Sequence, residues 1–576
     1  MDSFPSTYSS YHTNSNGKSV SGRIHLNDAQ LHNLSVPIAR LPSELLLDIF
    51  QEYADLSRSD IFTPKNQWIR ITHVCSFWRT IALDYPLLWN HILLTGNSEC
   101  VNEMIKRSQK TPLIVSGATP GFYSVEDDED FRLTEIIRPL IVMLPRIIEV
   151  DLTCIRYFRA EFEEELFKQG RHDEIQAPLL KSIIMEDSYE MIQPWHAQGY
   201  IPFAQYEKYP SLESIQVTSV NASMIRLLSL PSDTLRHLSL TEIFWDIAPI
   251  LIPALERLTS LETLTLKRAL PYNLSPSLRP PEELFRWPST ITTLHKLRQI
   301  SIEGFASRCA DFLSELQTNP QTKFSLEITE TRIYSGFKVN LTRILAVISK
   351  TWGQKDPVRT IVLRPHSQQS VELLAWSNDQ VDRNSCSHPQ AEPKLRLILR
   401  YTLNHPLLPT LLALIFRELP TNSIQTLQID NEELHHDFTF PNLVMIPATW
   451  VNILKELPDL RRLNLNSIPL MLGLLPALWW PTRSDSESMF VAKLETLSLS
   501  CINFRASDAD LMVVLNQSLR WRKSRGSVLS RLHIKRCLNF NEVDSSSLSN
   551  KYGIAKVEWD GQGGLHPLGR RRSISL

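Results

Sequence analysis

The side chains whose types could support catalysis or metal binding are few, and their spacing is unfavourable. His435 and His436 lie beside three acidic residues, Glu432, Glu433 and Asp437, which are metal-ligand types. A preorganised helical site places two histidines four residues apart, whereas these two are adjacent, so a solvated loop is favoured. The sequence also lacks G-x-S-x-G and H-E-x-x-H, the strings of serine hydrolases and zinc proteases. We therefore predict no catalytic residue and no metal.

Composition excludes further classes of function. The chain has 576 residues but only 17 glycines, and neither G-x-x-x-x-G-K-[ST] nor G-x-G-x-x-G occurs. With 60 Lys and Arg against 62 Asp and Glu, the formal net charge of −2 removes the electrostatic argument for binding nucleic acid or an anionic membrane. We predict no cofactor, no nucleic acid and no membrane partner.

Targeting signals are also missing from the sequence. The start of the chain lacks the basic and apolar segments of a secretory signal. The longest apolar stretches, 406–416 and 469–481, are shorter than the roughly 20 residues that a membrane span requires. Seven cysteines without a C-x-x-C pair suit reduced thiols. The sequence predicts an intracellular protein, cytoplasmic or nuclear.

The elements that present apolar surface are therefore the better candidates for function. Residues 1–37 form a polar leader that we expect to be disordered. Pro42-Ser43-Glu44 then predicts a helix start, because proline and an acidic first turn suit unpaired N–H groups. The helical repeat that follows is Leu45, Leu46, Ile49, Phe50 and Tyr53.

A second helix is predicted after a polar insert at residues 57–66. Its apolar residues recur at intervals of three and four, and Asp84-Tyr85-Pro86 ends it. A unit of about 50 residues has a marginal core of its own. Its three tryptophans and broad apolar surface indicate that a partner covers it; the alternative is a helical cap on the following domain.

The order of residues in this unit resembles the F-box, which we place at residues 38–95. The resemblance is closest to the F-boxes of large fungal, basidiomycete-type families, in which W-x-x-I-x-x-V-C-x-x-W-R-x-I-A recurs. The matching strings are Leu41-Pro42-x-Glu44-Leu45-Leu46-x-x-Ile49-Phe50, Ile71-x-x-Val74-Cys75-x-x-Trp78-Arg79-x-Ile81-Ala82 and Pro86-x-Leu88-Trp89.

The resemblance implies docking onto the Skp-type adaptor of a cullin–RING ubiquitin ligase. Within the helix pattern, Cys75 is interpreted as a packed small apolar residue rather than a nucleophile. The insert at 57–66 is longer than in the shortest F-boxes, which leaves the interhelical geometry open. By position, the residues implied to face or support the adaptor are Leu41, Pro42, Leu45, Ile49, Val74, Trp78 and Ile81.

From about residue 144, one string recurs: apolar-x-x-apolar-x-apolar. Most successive copies start 23–36 residues apart, with larger gaps before and after residue 358. The copies start at Ile147, Leu180, Leu212, Leu235, Leu261, Leu297, Val358, Ile424, Leu460, Leu494 and Leu529. In eight copies a charged residue comes next: Lys181, Glu213, Arg236, Glu262, Arg298, Arg359, Arg461 and Glu495.

Each string predicts a short strand, and segments 224–230, 247–258 and 407–419 have helical spacing between strands. Such units stack into a parallel-sheet solenoid because none can bury its own apolar face. The predicted fold is α/β: an all-α F-box, a linker with an acidic run (96–135), an irregular leucine-rich-repeat solenoid (136–560) and a disordered basic tail (561–576). The solenoid resembles the degenerate repeat tails of fungal F-box proteins, although only Cys537 supplies the usual ninth-position residue. A conventional α/β domain is the alternative.

Residues between the inward leucines are predicted to form an exposed inner face that binds a protein target. The last copy is basic, which favours an acidic or phosphorylated segment. The alternative is that these are merely solvated strand residues. The candidate target-binding residues are His237, Thr263, Arg462, Asn464, Arg531 and Lys535.

Together these features predict the substrate-recognition subunit of a Skp–cullin–F-box ubiquitin ligase. One alternative is a scaffold that binds the adaptor or other proteins without promoting ubiquitination. The other is an enzyme on an irregular α/β domain, which requires a pocket with convergent ionisable side chains.

Overall fold

The computed structural model describes most of the chain from residue 36 to residue 561. The described ranges are 36–59, 66–94, 97–117, 138–152, 176–186, 209–218, 233–243, 248–270, 291–330, 335–352, 357–367, 370–377, 392–401, 408–430, 447–466, 468–478, 491–506 and 509–561. The predicted leader, acidic run, basic tail, histidine pair and 224–230 helix lie outside these ranges or almost wholly so.

The chain divides into two compact units. The helical unit comprises residues up to Leu93 together with Glu103–Thr111, and the sheet unit comprises Leu94–Asn102 and the chain from Pro112 onward. The described α-helices are α1 Ser43–Ser59, α2 Ser76–Leu83, α3 Ser98–Arg107, α4 Ala248–Arg257, α5 Ala306–Ser314, α6 Ser335–Trp352, α7 Leu408–Glu418, α8 Pro447–Lys455, α9 Ile468–Ala477, α10 Leu511–Ser524 and α11 Glu542–Tyr552.

Short strands make up the second class of elements. They are β1 His91–Leu94, β2 Leu113–Gly117, β3 Ile147–Leu152, β4 Ser182–Glu186, β5 Ser214–Thr218, β6 His237–Thr241, β7 Thr263–Lys267, β8 Thr292–Leu294, β9 Gln299–Phe305, β10 Leu316–Thr318, β11 Lys323–Glu330, β12 Thr360–Ser367, β13 Ser370–Trp376, β14 Leu395–Tyr401, β15 Thr426–Asp430, β16 Arg462–Asn466, β17 Thr496–Ser500, β18 Arg505–Ala506, β19 Ala509–Asp510, β20 Arg531–Lys535 and β21 Lys556–Trp559.

Helix α1 begins at Ser43, directly after Pro42, as the sequence predicts. The second predicted helix is wrong as a single element. It divides into a 3-10 helix, Gln67–His73, and α2, because Cys75 between them is extended at φ −157°. The Cys75 Sγ accepts a hydrogen bond from the backbone N–H of Trp78 at 3.5 Å. Capping the first turn of a helix in this way requires an extended residue, which ends the preceding element.

The structure also differs from the predicted linker. Helix α3 and strand β2 both lie within residues 96–135. Val101 and Met104 are buried three residues apart on α3, and Leu113 and Val115 are buried two apart on β2. The helical and strand periods are therefore present in this segment, but each is too short to stand out from the polar residues around it.

The repeated string does form strands, in every one of its eleven copies. Strands β2 to β7, then β9 and β11, pair in parallel and in chain order. A second parallel run pairs β12 with β15, followed by β16, β17, β20 and β21. The inward residues stack in register; Leu238, Leu264 and Ile300 are neighbours on β6, β7 and β9, and all three are buried.

Helices α5 to α11 pack against one another in chain order, each with the next. Their apolar residues, such as Leu345 on α6 and Leu454 on α8, are buried. Strands stacked in parallel with helices between them bury a continuous core that no single repeat could form. We call the sheet side with the buried string residues the core side, and the opposite side the polar face.

The parallel order is interrupted between β11 and β15. There the spatial order is β11, β14, β13, β12 and β15, and β13 runs antiparallel to both neighbours. This meander accounts for the larger gaps that the sequence shows around residue 358, because β11 occupies the gap before it and β13 and β14 occupy the gap after it. All residues of β13 are buried, including Glu372.

Glu372 is a fully buried carboxylate held by two arginines. It accepts hydrogen bonds from the Nε of Arg364 on β12 and from the Nε of Arg396 on β14, the latter at 2.6 Å. Burial alone raises the pKa of Glu372, but the hydrogen bonds from both guanidiniums outweigh it and hold that pKa below its usual range. The charged form of Glu372 therefore stabilises the meander.

The charged residue that follows the first apolar position in the string has a structural explanation. It lies just before each strand, so that neighbouring copies meet along one edge of the sheet. The guanidinium of Arg236 lies 2.9 Å from Glu262, and that of Arg461 lies 3.3 Å from Glu495. Exposed pairs of this kind contribute at most about 1 kcal/mol each, so they favour register and solubility more than stability.

Replacing Glu372 with glutamine is predicted to lower the free energy of unfolding by about 3 kcal/mol, because two guanidiniums lose their buried counter-ion. Urea unfolding of the full chain at pH 7 measures this loss. Glu495→Gln, in the exposed pair, is the matched control and should cost under about 1 kcal/mol.

The Glu372→Gln difference should also depend on pH. A carboxylate with a depressed folded pKa contributes stability above its unfolded pKa and loses it as pH falls through the folded value. The gap between wild type and Glu372→Gln is therefore expected to narrow in acid. A gap that stays constant from pH 7 to pH 3 would show that the charge of Glu372 is not what stabilises the meander.

Candidate protein interaction surfaces

Helix α1 has two apolar faces, one buried and one exposed. Leu46, Phe50 and Ala54 are buried. Leu45 and Ile49, by contrast, are 49% and 45% exposed, and Tyr53 continues the same row at 39%. Residues four apart lie one above the other on a helix, so these three form one continuous exposed apolar stripe. A stripe of this kind is costly in water unless a partner covers it.

The helical unit adds further exposed apolar side chains. Val74 is 59% exposed, more than Leu45 or Ile49. More than half of the large apolar side chains that are exposed in the described ranges lie in this unit, although it is much the smaller one. Sequence reasoning missed five of these, although Tyr53 continues the four-residue period of Leu45 and Ile49. The missed residues are Ile38, Tyr53, Leu56, Phe77 and Leu87.

Aromatic packing beneath α1 holds the stripe in place. The rings of Phe50 on α1 and Trp78 on α2 have centroids 4.9 Å apart, and those of Trp68 and Trp89 are 5.0 Å apart. The indole N–H of Trp89 donates to the carbonyl oxygen of Ala82 at 2.8 Å. These contacts link both helices and the closing turn, so the exposed row is displayed on a packed support.

The predicted adaptor residues therefore divide by exposure. Pro42, Leu45, Ile49 and Val74 are exposed, and can contact a partner directly. Leu41, Trp78 and Ile81 are half-buried, and Trp78 packs on Phe50. The second set supports the surface more than it forms it.

Arg58 is a structural residue that sequence reasoning placed in the polar insert. It still lies on α1, and its guanidinium donates to the carbonyl oxygen of Leu88 and to Asp55, both at 2.9 Å. It also lies 5.5 Å from the ring centroid of Trp68. Burial lowers the pKa of Arg58, and the nearby Asp55 carboxylate opposes that shift. The sequence feature that could have indicated this structural role is Asp55, which lies three residues before Arg58 on the same helix.

Helix α3 supplies a second cation to the same core. The Arg107 guanidinium lies 4.5 Å from the ring centroid of Trp89 and donates from Nε to Glu103 at 2.8 Å. A guanidinium over an indole face is attracted by the ring quadrupole. The end of α3 thus belongs to the helical unit rather than to a linker.

On the sheet unit, two of the predicted target-binding residues lie side by side. His237 on β6 is opposite Thr263 on β7, and His237 Nδ1 lies 2.8 Å from Thr263 Oγ1. Both project from the polar face, as the alternation of buried and exposed residues along their strands shows.

The other four predicted residues lie together on a different part of the sheet. Arg462 and Asn464 are on β16, and Arg531 and Lys535 are on β20, with β17 between the two strands. The meander and its neighbours separate this group from His237 and Thr263. The structure therefore brings the six residues into two groups rather than one site.

The last strand, β21, was not predicted and adds charge to the second group. Glu558 accepts from His533 Nδ1 at 2.8 Å and also pairs with Lys556. Burial lowers the pKa of His533, while the Glu558 carboxylate opposes that shift. The signal in the sequence is only four residues long, which is too short to separate a strand from a loop.

A pocket for catalysis would need convergent ionisable groups. A cavity of about 250 Å³ lies at the N-terminal ends of β9 and β11. Its lining includes Glu262, Lys296 and Arg298. The charged side chains of this cavity already have partners. Glu262 pairs with Arg236 and lies 3.7 Å from Arg298, and Lys296 contacts Ser260. Within the described ranges, no cluster of His, Cys, Asp and Glu could hold a metal, and no helix is long and apolar enough to cross a membrane.

Comparison with known protein families agrees with the F-box resemblance of the helical unit. The family model for F-box-like domains matches residues 38–95. F-box domains generally bind Skp-type adaptors, and F-box and leucine-rich-repeat families are typically interaction modules without catalytic activity. The chain thus has an N-terminal F-box-like domain followed by a parallel sheet with helices that resembles a leucine-rich-repeat solenoid.

Among solved structures, the chain is similar to the leucine-rich repeat-containing protein LegL7 from Legionella pneumophila. The identity is 15%, the match covers 60% of this chain and 92% of that chain, and the TM-score is 0.22. Because the identity and the TM-score are this low, the description of the sheet unit is taken from its own strand pairing. No match to a curated protein was found.

The two faces of α1 should respond differently to substitution. Leu45→Ser with Ile49→Ser removes only exposed groups, so the stability of α1 should change by less than about 0.5 kcal/mol. Leu46→Ala opens a cavity and should cost about 2–5 kcal/mol. Hydrogen exchange of α1 peptides in the full chain measures both. Similar loss of protection in the two variants would mean that the stripe belongs to the core.

Proposed function

We propose that this protein is the substrate-recognition subunit of a Skp–cullin–F-box ubiquitin ligase. The exposed apolar stripe of α1 in an F-box-like domain carries the proposal, because it is a surface that water disfavours and an adaptor would cover. The string around Val74, Cys75 and Trp78 further supports an origin among fungal F-box families.

In this proposal the adaptor contacts Pro42, Leu45, Ile49 and Val74 directly. Each large apolar side chain that moves from water into the interface contributes about 1.5–3 kcal/mol. Leu41, Trp78 and Ile81 keep the helices in position from below. A helix that presents residues one turn apart to a groove is a common mode of protein recognition.

The sheet unit would bind the protein target on its polar face. His237 and Thr263 form one group of hydrogen-bonding side chains, and Arg462, Asn464, Arg531 and Lys535 form the other. Binding both proteins at once would hold the target near the ubiquitin-conjugating enzyme, and the rate gain comes from proximity. The chain itself needs no catalytic residue, no cofactor and no metal for this role, which it would perform in the cytoplasm or the nucleus.

Adaptor capture tests the first half of the proposal. Leu45→Ser, Ile49→Ser and Val74→Ser together are expected to weaken binding of a purified Skp-type adaptor more than 100-fold, because three apolar contacts are lost. Val339→Ser with Val513→Ser is the matched control: these residues are 61% and 47% exposed on α6 and α10, outside the F-box-like domain. Failure of the wild type to bind, or equal weakening in the control, contradicts the proposal.

Ubiquitin transfer separates a substrate receptor from a scaffold. Proteins captured by the wild-type sheet unit are expected to have longer half-lives in cells that carry the triple serine variant, because they no longer reach the ligase. Pulse-chase measurement of those half-lives is the test. Captured proteins with unchanged half-lives would identify the chain as a scaffold that binds the adaptor without promoting ubiquitination.

A further inference from the structure

The last four strands of the sheet align three cations in one row on the polar face. Strands β16, β17, β20 and β21 pair in parallel, and their register places Arg462, Thr496, Arg531 and Lys556 side by side. Neighbouring strands are about 4.8 Å apart, so these four positions, here called the basic row, span about 14 Å.

The two arginines of the basic row differ from the arginines at the sheet edge. Arg236, Arg298 and Arg461 each have a glutamate partner on a neighbouring repeat. For Arg462 and Arg531, the described ranges contain no carboxylate within ion-pair distance. Arg531 is exposed and Arg462 is half-buried, so neither side chain is enclosed in the core.

The basic row is also unfavourable in its own right. Arg531 lies directly opposite Lys556, and like charges directly opposite on paired strands are destabilising. The nearby carboxylate of Glu558 pairs with Lys556 and His533, and the charge of Arg531 also helps to lower its pKa, so this one carboxylate offsets part of the positive charge. A bound anion would reduce the repulsion along the row.

Neutral donors lie among these cations. Thr496 is in the row itself, and Asn464 and Ser498 are the neutral members of the next register row, whose other members are His533 and Glu558; all are half-buried. An anionic oxygen here would meet guanidinium N–H groups together with hydroxyl and amide donors. Hydrogen bonds with a charged partner are about twice as strong as neutral ones.

We propose that the basic row binds an anionic side chain, a carboxylate or a phosphate, in an extended segment of the protein target. This inference depends on the proposed role of the polar face in target binding. It places anion recognition on β16 to β21 and assigns none to the His237 and Thr263 group.

Peptide binding by the full chain tests the inference. Three fluorescein-labelled ten-residue peptides would share one neutral sequence but carry phosphoserine, glutamate or glutamine at three central positions. Anisotropy should show at least tenfold tighter binding of an anionic peptide than of the glutamine peptide, and weaker binding at high salt. Equal affinity for both anionic peptides identifies a carboxylate as sufficient, and preference for the phosphoserine peptide identifies phosphate as the source.

Variants locate the binding. Arg462→Ala and Arg531→Ala are each expected to reduce anionic-peptide affinity about tenfold, since each removes charge-assisted hydrogen bonds. Arg461→Ala is the matched control, because Arg461 is adjacent in sequence but pairs with Glu495 at the sheet edge. The inference is overturned if the glutamine peptide binds as tightly as both anionic peptides, or if Arg461→Ala weakens binding as much as Arg531→Ala.

Adaptor capture on the same variants keeps the two proposals distinct. Arg462→Ala and Arg531→Ala should bind the Skp-type adaptor as the wild type does, and unfolding in urea like that of the wild type shows that their sheet unit is folded. Failure of adaptor capture by the wild type counts against the ligase proposal alone. Absence of anionic-peptide binding by a chain that captures the adaptor counts against the basic row alone.

Discussion

The sheet unit depends on one constraint: no strand-and-helix repeat can bury its own apolar face. Leu238, Leu264 and Ile300 therefore stack in register, each shielding the next from water. The alternation of a strand then places every intervening side chain on the opposite side. The polar face is thus a consequence of how the core is built, and its side chains are available for recognition because the core does not require them.

The meander interrupts the parallel pairing of the strands and buries a charged carboxylate, which costs free energy. Strand β13 runs against both neighbours, and its buried Glu372 bridges arginines from each. Glu372 is fully buried whereas Arg396 is 42% exposed, and removal of the carboxylate would leave both guanidiniums without a counter-ion, so the triad stabilises this strand order. The meander also divides the polar face into two stretches of parallel strands. His237 belongs to one stretch, and the basic row belongs to the other.

The helical unit is subject to a different constraint. An apolar stripe remains exposed there, although apolar side chains tend to be buried. The aromatic pairs Phe50 with Trp78 and Trp68 with Trp89 fill the interior, so Leu45 and Ile49 are left outside by geometry. Cys75 contributes by ending one helical segment and capping the next. A stripe on a packed support is pre-organised, which lowers the ordering cost of binding a partner.

The sequence alone determined the F-box-like helices, the repeated strands and the inward apolar residues, because periodicity and residue order are local properties that the string from Leu235 to Leu240 already shows. Only the tertiary structure decided which strands are neighbours. Pairing β14 with β11, joining Arg462, Arg531 and Lys556 in one row and separating that row from His237 all depend on contacts between residues distant in the chain. The break at Cys75 and the burial of Arg58 likewise depended on packing, since local propensity yields to tertiary contacts where the two compete.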